Sequence, residues 1–176
     1  MKKFLCVALS IIMLFAFASC GGRNEGGTDV SEKEGLTSFT TVTLDGENAD
    51  ESIFKGKKVT MVNIWATFCG PCIGEMPDLQ KLHEDYADRD FQVVGIVCDV
   101  YGDRNLDTAK DIVKDTGVKY VSLLPSDSLN EAKLNSVTSV PETFFVDETG
   151  AMIAGPYIGS RSYSQWAEVI EGVLAK

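Results

Sequence analysis

From Val59 to Ile64 the chain reads Val-Thr-Met-Val-Asn-Ile, an almost unbroken apolar and β-branched run that predicts a buried strand. The period then changes. Ile73, Met76, Leu79, Leu82 and Tyr86 recur at spacings of three and four, as on a helix with one face in a core. Phe91 to Cys98 predicts a second buried strand, and Leu106, Ala109, Ile112 and Val113 a second helix ending near Gly117. A short strand is expected over Val121–Leu124, then a short helix started by a capping box at Ser128-Leu129-Asn130-Glu131. Upstream, Phe39 to Leu44 alternates like a half-exposed strand and Asp45-Gly46 signals a turn. Glu51 to Phe54 reads as a short helix and Lys55 to Lys58 as a solvated loop. Near the end, Thr143–Val146 and Met152–Ala154 flank Asp147-Glu148-Thr149-Gly150 as a hairpin. Ser162 and Gln165 then cap a helix whose Trp166, Val169, Ile170 and Val173 face one way. Alternating strands and helices closed by a hairpin and a helix predict an α/β fold: a mixed central sheet flanked by helices, with an N-terminal β extension.

The 176 residues, 44% of them hydrophobic, suffice for one domain with a core of its own. A net charge of −10, with no basic patch or nucleic-acid motif, argues against nucleic acid as a partner. The first residues change the picture of where the domain works. Met1-Lys2-Lys3 and the uncharged run Phe4–Ala18 have the form of a secretory signal and are short for a membrane span. The small residues Ala18-Ser19 before Cys20 resemble the lipobox of bacterial lipoproteins, with Phe17 in place of the usual aliphatic residue. That resemblance implies a lipid-modified Cys20 at a new N-terminus and a membrane anchor, since two or more acyl chains hold stably. An ordinary cleaved signal peptide or an uncleaved anchor are the alternatives. Residues 1–19 are thus read as a signal peptide, 20–35 as a Gly-, Ser- and acid-rich tether, and 36–176 as the domain. Loss of residues 1–19 removes two lysines and no acid, leaving −12. The tether's typical span is roughly 20–25 Å.

Between the first strand and its helix stand Trp65-Ala66-Thr67-Phe68-Cys69-Gly70-Pro71-Cys72. Unpaired N–H groups and the positive end of the helix dipole favour a thiolate at such a place. Other uses of the pair fit poorly. Zinc needs four ligands, and the one histidine, His83, is read as a surface or partly buried helix residue. Covalent haem needs a histidine where Ile73 stands. A disulfide spanning two residues at a helix start is a poor structural staple. Redox work is the reading that remains. Cys98, inside an apolar strand, is expected to be inert.

These residues resemble the thioredoxin superfamily, more closely its TlpA/ResA-like, membrane-tethered thiol–disulfide oxidoreductases, over roughly residues 36–176. Asn63 to Cys72 is similar to the family's N-[FI]-W-A-[TS]-W-C-x-P-C, with Phe68 in place of the usual Trp. Pro77 matches the family's kinked active-site helix, and Val140-Pro141-Glu142-Thr143 its cis-proline loop. The resemblance implies a thioredoxin-like fold, with Cys69 attacking and Cys72 resolving. Spacing agrees, for Cys69 lies nearer the free N–H groups and Cys72 one turn deeper on the same face. Substrate contacts fall to Trp65, Gly70, Pro71, Val140 and Pro141, with the Val140 backbone pairing with an extended segment. Glu75, matched by position, either tunes and relays protons for the thiols or is a solvated first-turn acid. Asn63 stands where thioredoxin has a buried acid, which favours the first. The chain would act as a monomer, with no cofactor beyond its Cys69–Cys72 disulfide and no metal. Implied partners are protein disulfides, apocytochrome c among them, and a CcdA/DsbD-like membrane electron donor. Glu142 is similar to the cytochrome-maturation branch in one residue. A peroxiredoxin-like peroxidase would need Pro and Thr or Ser where Val62 and Ala66 stand, and a non-catalytic lipoprotein binding module is the remaining alternative.

Overall fold

The computed structural model describes residues 34–176; the readings of residues 1–33 as signal peptide, Cys20 lipidation site and tether lie outside the described residues. The five-stranded sheet is organised around β3, Val59–Trp65, every residue of which is buried. On one side β3 pairs in parallel with β4, Phe91–Val97, and on the other antiparallel with β6, Glu142–Val146. β5, Ser122–Leu123, and β7, Met152–Ile158, complete the order β5-β4-β3-β6-β7. Parallel neighbours need a crossover, supplied here by the helices α1, Gly70–Asp85, and α2, Leu106–Thr116. The antiparallel β6–β7 hairpin and α4, Tyr163–Leu174, follow as the periodicity predicted, and Ser162 and Gln165 form a capping box.

Alternation along the strands divides the core. Met61, Trp65, Val93, Val97 and Phe145 pack with Met76, Leu79, Leu82, Trp166 and Ile170 of α1 and α4. Val62, Ile64, Val94, Ile96, Phe144 and Val146 pack with Leu36, Phe39, Phe54 and Leu129 on the other face.

Three local differences from the sequence reading have plain causes. Phe39–Leu44 contains only the short strand β1, Thr40–Val42, which pairs antiparallel with β2, Asn48–Asp50. Asn-Ala-Asp carries no hydrophobic period, so its strand character comes from pairing alone. The helix α3, Asp127–Ala132, is capped by Ser126, whose Oγ accepts from Leu129 N–H at 3.1 Å. Ser128 instead serves β1, accepting from Thr40 N–H at 2.9 Å and donating to Thr40 C=O at 3.0 Å. Finally, β7 runs on past Ala154 through Pro156, which an edge strand tolerates. Gly155 is required there: its φ is +109°, and a Cβ would meet Phe144 Cα at 2.9 Å.

His83 acquires a structural task. Its Nδ1 accepts from Val93 N–H at 3.0 Å, completing β4 beyond the reach of the two-residue β5. Burial, then the charge of Lys57, holds its pKa below the ordinary imidazole value. The native state therefore binds that proton less tightly than the unfolded chain. Its contribution is complete above the ordinary histidine range and is lost as pH falls through that range toward the depressed native value. We expect His83→Ala to cost about 1–3 kcal/mol near pH 8, by orphaning the Val93 N–H, and to flatten the melting temperature between about pH 7 and 5. Parallel acid-side slopes for both proteins in thermal melts would refute this.

Candidate active site

The chain leaves β3 at Trp65 and enters α1 five residues later, and the intervening loop is fixed from outside. Asp99, just past β4, accepts from the Thr67 N–H at 3.0 Å through Oδ1 and from the Thr67 hydroxyl at 2.6 Å through Oδ2. Asn105, in a left-handed conformation ahead of α2, donates through Nδ2 to Asp99 C=O at 2.9 Å and to Asp99 Oδ2 at 3.2 Å. This clamp leaves Phe68 79% exposed beside the thiols, a large apolar side chain on open surface.

Cys69 is the N-cap of α1 and Cys72 lies in its first turn, and the two are joined as a disulfide. Cys69 Sγ accepts from the Cys72 N–H at 3.2 Å, as a capping oxygen would. On reduction the same N–H, together with the helix dipole, favours a Cys69 thiolate. Pro71 sits in the first turn, where its missing N–H costs no helical bond. Cys69 is 6% exposed and Cys72 fully buried; Gly70 and Pro71 are exposed beside them. Trp65 is fully buried, so it packs beneath the loop, and direct contact with a substrate is corrected to that supporting place.

Glu75, three residues past Cys72, is only 3% exposed. The solvated first-turn acid is therefore excluded by its burial. Its Oε1 accepts from Asn63 Nδ2 at 3.0 Å, and its Oε2 from Arg161 N–H at 3.0 Å and Trp166 Nε1 at 3.1 Å. Asn63 Nδ2 is also within 2.9 Å of Thr143 Oγ1, which ties the carboxylate to β3 and β6. Burial raises the Glu75 pKa above the ordinary carboxylate value, and the three donors pull it partly back. A cleft of about 350 Å³ beside Pro71 is lined by Pro71, Gly74, Glu75, Asp78 and Arg161 among others. Asp78 accepts from the Tyr163 N–H at 2.9 Å, so two acids of α1 hold the start of α4 and the loop before it.

The register of the sheet brings the proline loop to the same end. Ile64 pairs with Glu142 across antiparallel strands, so the residues before Glu142 continue past the end of β3, where the thiols lie. The Val140–Pro141 peptide is cis, as the resemblance implied. Val140 is half-buried at the margin of the core cluster that contains Cys69 and Cys72, and Pro141 is buried. Among the described residues neither the N–H nor the C=O of Val140 takes a hydrogen bond. Cys98, one residue past β4, is free and partly buried; desolvation and the neighbouring Asp99 raise its thiol pKa, away from reactivity. The parts that Asp99, Asn105, Arg161 and Thr143 play at the site were not read from the sequence. An acid just past a buried strand was the one signal available, for Asp99.

A central strand of a mixed five-stranded sheet, followed by a short loop to a helix-capping cysteine that is bonded to a second cysteine in the first turn of that helix, defines a thioredoxin-like thiol–disulfide oxidoreductase. The Redoxin family's sequence model matches residues 30–157, and the chain belongs to that family. The chain is 28% identical over 176 residues to the thioredoxin-like protein YneN of Bacillus subtilis, with 97% of this chain and 98% of that one covered. It is 29% identical over 186 residues to the thiol:disulfide interchange protein DsbE of Vibrio cholerae, covering 99% and 95%. The crystal structure of a thiol:disulfide interchange protein of the thioredoxin family from Chlorobium tepidum superposes with a TM-score of 0.68 at 28% identity, covering 82% of this chain and 98% of that one.

Proposed function

We propose that the chain is an extracytoplasmic, lipid-anchored reductase of protein disulfides, with apocytochrome c before haem attachment as its foremost substrate class. The observation that carries the reading is the stepped pair of thiols: Cys69 at the rim of the helix, Cys72 buried a turn below, and the buried carboxyl of Glu75 three residues further on. The Cys69 thiolate attacks one sulfur of a substrate disulfide, expels the other as a thiolate, and forms a mixed disulfide. Cys72 gives up its proton, for which Glu75 is the proposed acceptor, and attacks Cys69 Sγ. The Cys69–Cys72 bond closes and the second substrate sulfur leaves. Two electrons pass from enzyme to substrate, and a dithiol donor must return them. A CcdA/DsbD-like membrane carrier fits that need for a domain tethered through Cys20. Substrate segments dock as an added strand on the free Val140 backbone, with exposed Gly70 and Pro71 at the rim. The names of DsbE and of the interchange protein from Chlorobium support disulfide exchange as the chemistry.

The reduction potential tests the direction. A value near the thioredoxin end of the scale, about −270 mV, is expected; one near about −120 mV would make the chain an oxidant and overturn the reading. In Cys72→Ala the mixed disulfide has no resolving thiol, so substrates stay bound through Cys69 and are identified by mass spectrometry of the trapped adducts.

A further inference from the structure

Lys133 follows α3, and its Nζ stands 2.6 Å from Oε1 of Glu142, nine residues further on. The two side chains are 6% and 5% exposed. The approach lies off the direction of a hydrogen bond, so the attraction is chiefly Coulombic. The ammonium also reaches Ser136 Oγ at 3.4 Å and lies over the Phe144 ring, 5.2 Å from its centroid. An ion pair this far from water is costly to desolvate, and an apolar pair of the same volume would stabilise a core at least as well. Its place in the chain gives it a different use. Between the two charges runs the single turn Leu134–Ser136, then Val137 and the cis Val140–Pro141 bond. Glu142 is the first residue of β6 and is registered against Ile64 and Ile158, so one end of this loop is fixed to the sheet. Lys133 ties the other end to it.

We propose that Lys133 is a positioning residue for substrate docking. Through Glu142 it holds the Val140–Pro141 backbone where an extended protein segment adds beside Cys69, and it takes no part in bond exchange. The inference rests on the docking reading given above. It also assigns Glu142 an inward partner, which withholds that carboxylate from the docking face.

The test compares a protein disulfide, insulin, turned over with dithiothreitol as reductant, with a small aromatic nitrobenzoate disulfide that needs no strand addition and is mixed with pre-reduced enzyme freed of dithiothreitol, because that dithiol would reduce it directly. For Lys133→Met we expect KM for insulin to rise about tenfold with kcat within about twofold, and the second-order rate constant for the small disulfide to stay within about twofold. Lys133→Arg, which keeps the charge, should recover most of the insulin KM. An unchanged insulin KM in folded Lys133→Met, or an equal loss on both substrates, would overturn the inference. Should Lys133→Met not fold, the double variant Lys133→Met/Glu142→Gln leaves no buried charge unpaired. A raised insulin KM in that variant supports the inference and a native one overturns it. The native protein separates the two levels of the argument. If its KM for insulin is no lower than the half-saturating concentration of the small disulfide, the docking reading itself fails. If it does and Lys133→Met retains that preference, only the role of Lys133 fails.

Discussion

Cys69→Ser is expected to lower turnover of any disulfide by at least about a thousandfold while the domain stays folded. The fold is safe because Ser is a preferred N-cap, and its hydroxyl oxygen can take the Cys72 N–H that Cys69 Sγ now accepts. The chemistry is lost because a serine hydroxyl is no nucleophile toward sulfur at neutral pH. Cys72 cannot replace it, for it is fully buried and no substrate sulfur reaches it. Turnover of insulin and reaction with the small disulfide, with far-UV circular dichroism as the control, make the measurement. Retained reducing activity in a folded Cys69→Ser protein would refute the assignment of the attacking thiol.

The second large effect falls on Glu75. Glu75→Ala strips the acceptor from Asn63 Nδ2, the Arg161 N–H and Trp166 Nε1 at once. Buried donors left without partners should destabilise the domain by about 3–5 kcal/mol in a denaturant titration. Glu75→Gln should cost little. Its remaining oxygen can keep the Arg161 and Trp166 donors, and with the Asn63 amide turned over, Oδ1, now without a partner, accepts from the new NH₂. Because the native carboxyl binds its proton more tightly than the unfolded chain does, the stability it contributes is complete below the ordinary glutamate range. It is lost as pH rises through the raised native value, and Glu75→Gln should erase that slope. The kinetic signature is separate. Without the carboxylate the thiols should titrate at lower pH, followed by thiolate absorbance, while closure of the Cys69–Cys72 bond slows for want of a proton acceptor. Thiol titration and closure rate both unchanged in Glu75→Gln would leave Glu75 a structural residue only.

The buried strands, the main helices and both thiols were legible in the chain because each depends on local pattern. Val59–Trp65 is mostly apolar and β-branched, α1 repeats its core positions at helical spacing, and a C-x-x-C at their junction has few other uses. What stayed hidden depends on distant pairing. β2 is a strand only because β1 lies beside it. The Asp99–Thr67 clamp spans thirty-two residues and the Glu75–Trp166 bond ninety-one, separations at which no periodicity connects the partners. Glu75 illustrates the boundary: its helical position was readable, but its burial, which decides between a solvent-facing acid and a tuned one, follows from how α4 closes over α1. Lys133 gave no signal, since a lysine after a short helix ordinarily faces water.

A protein whose proposed substrates are unfolded chains must not recruit them at the wrong place, and its sheet is finished accordingly. At one margin β5 is two residues long and offers little to pair with; at the other, β7 carries Pro156, which has no N–H to donate, at a bulge in the strand. With both margins poor templates for self-association, aggregation is discouraged by the sheet itself, and on the docking proposed above the free backbone at Val140 is the place left for an incoming strand.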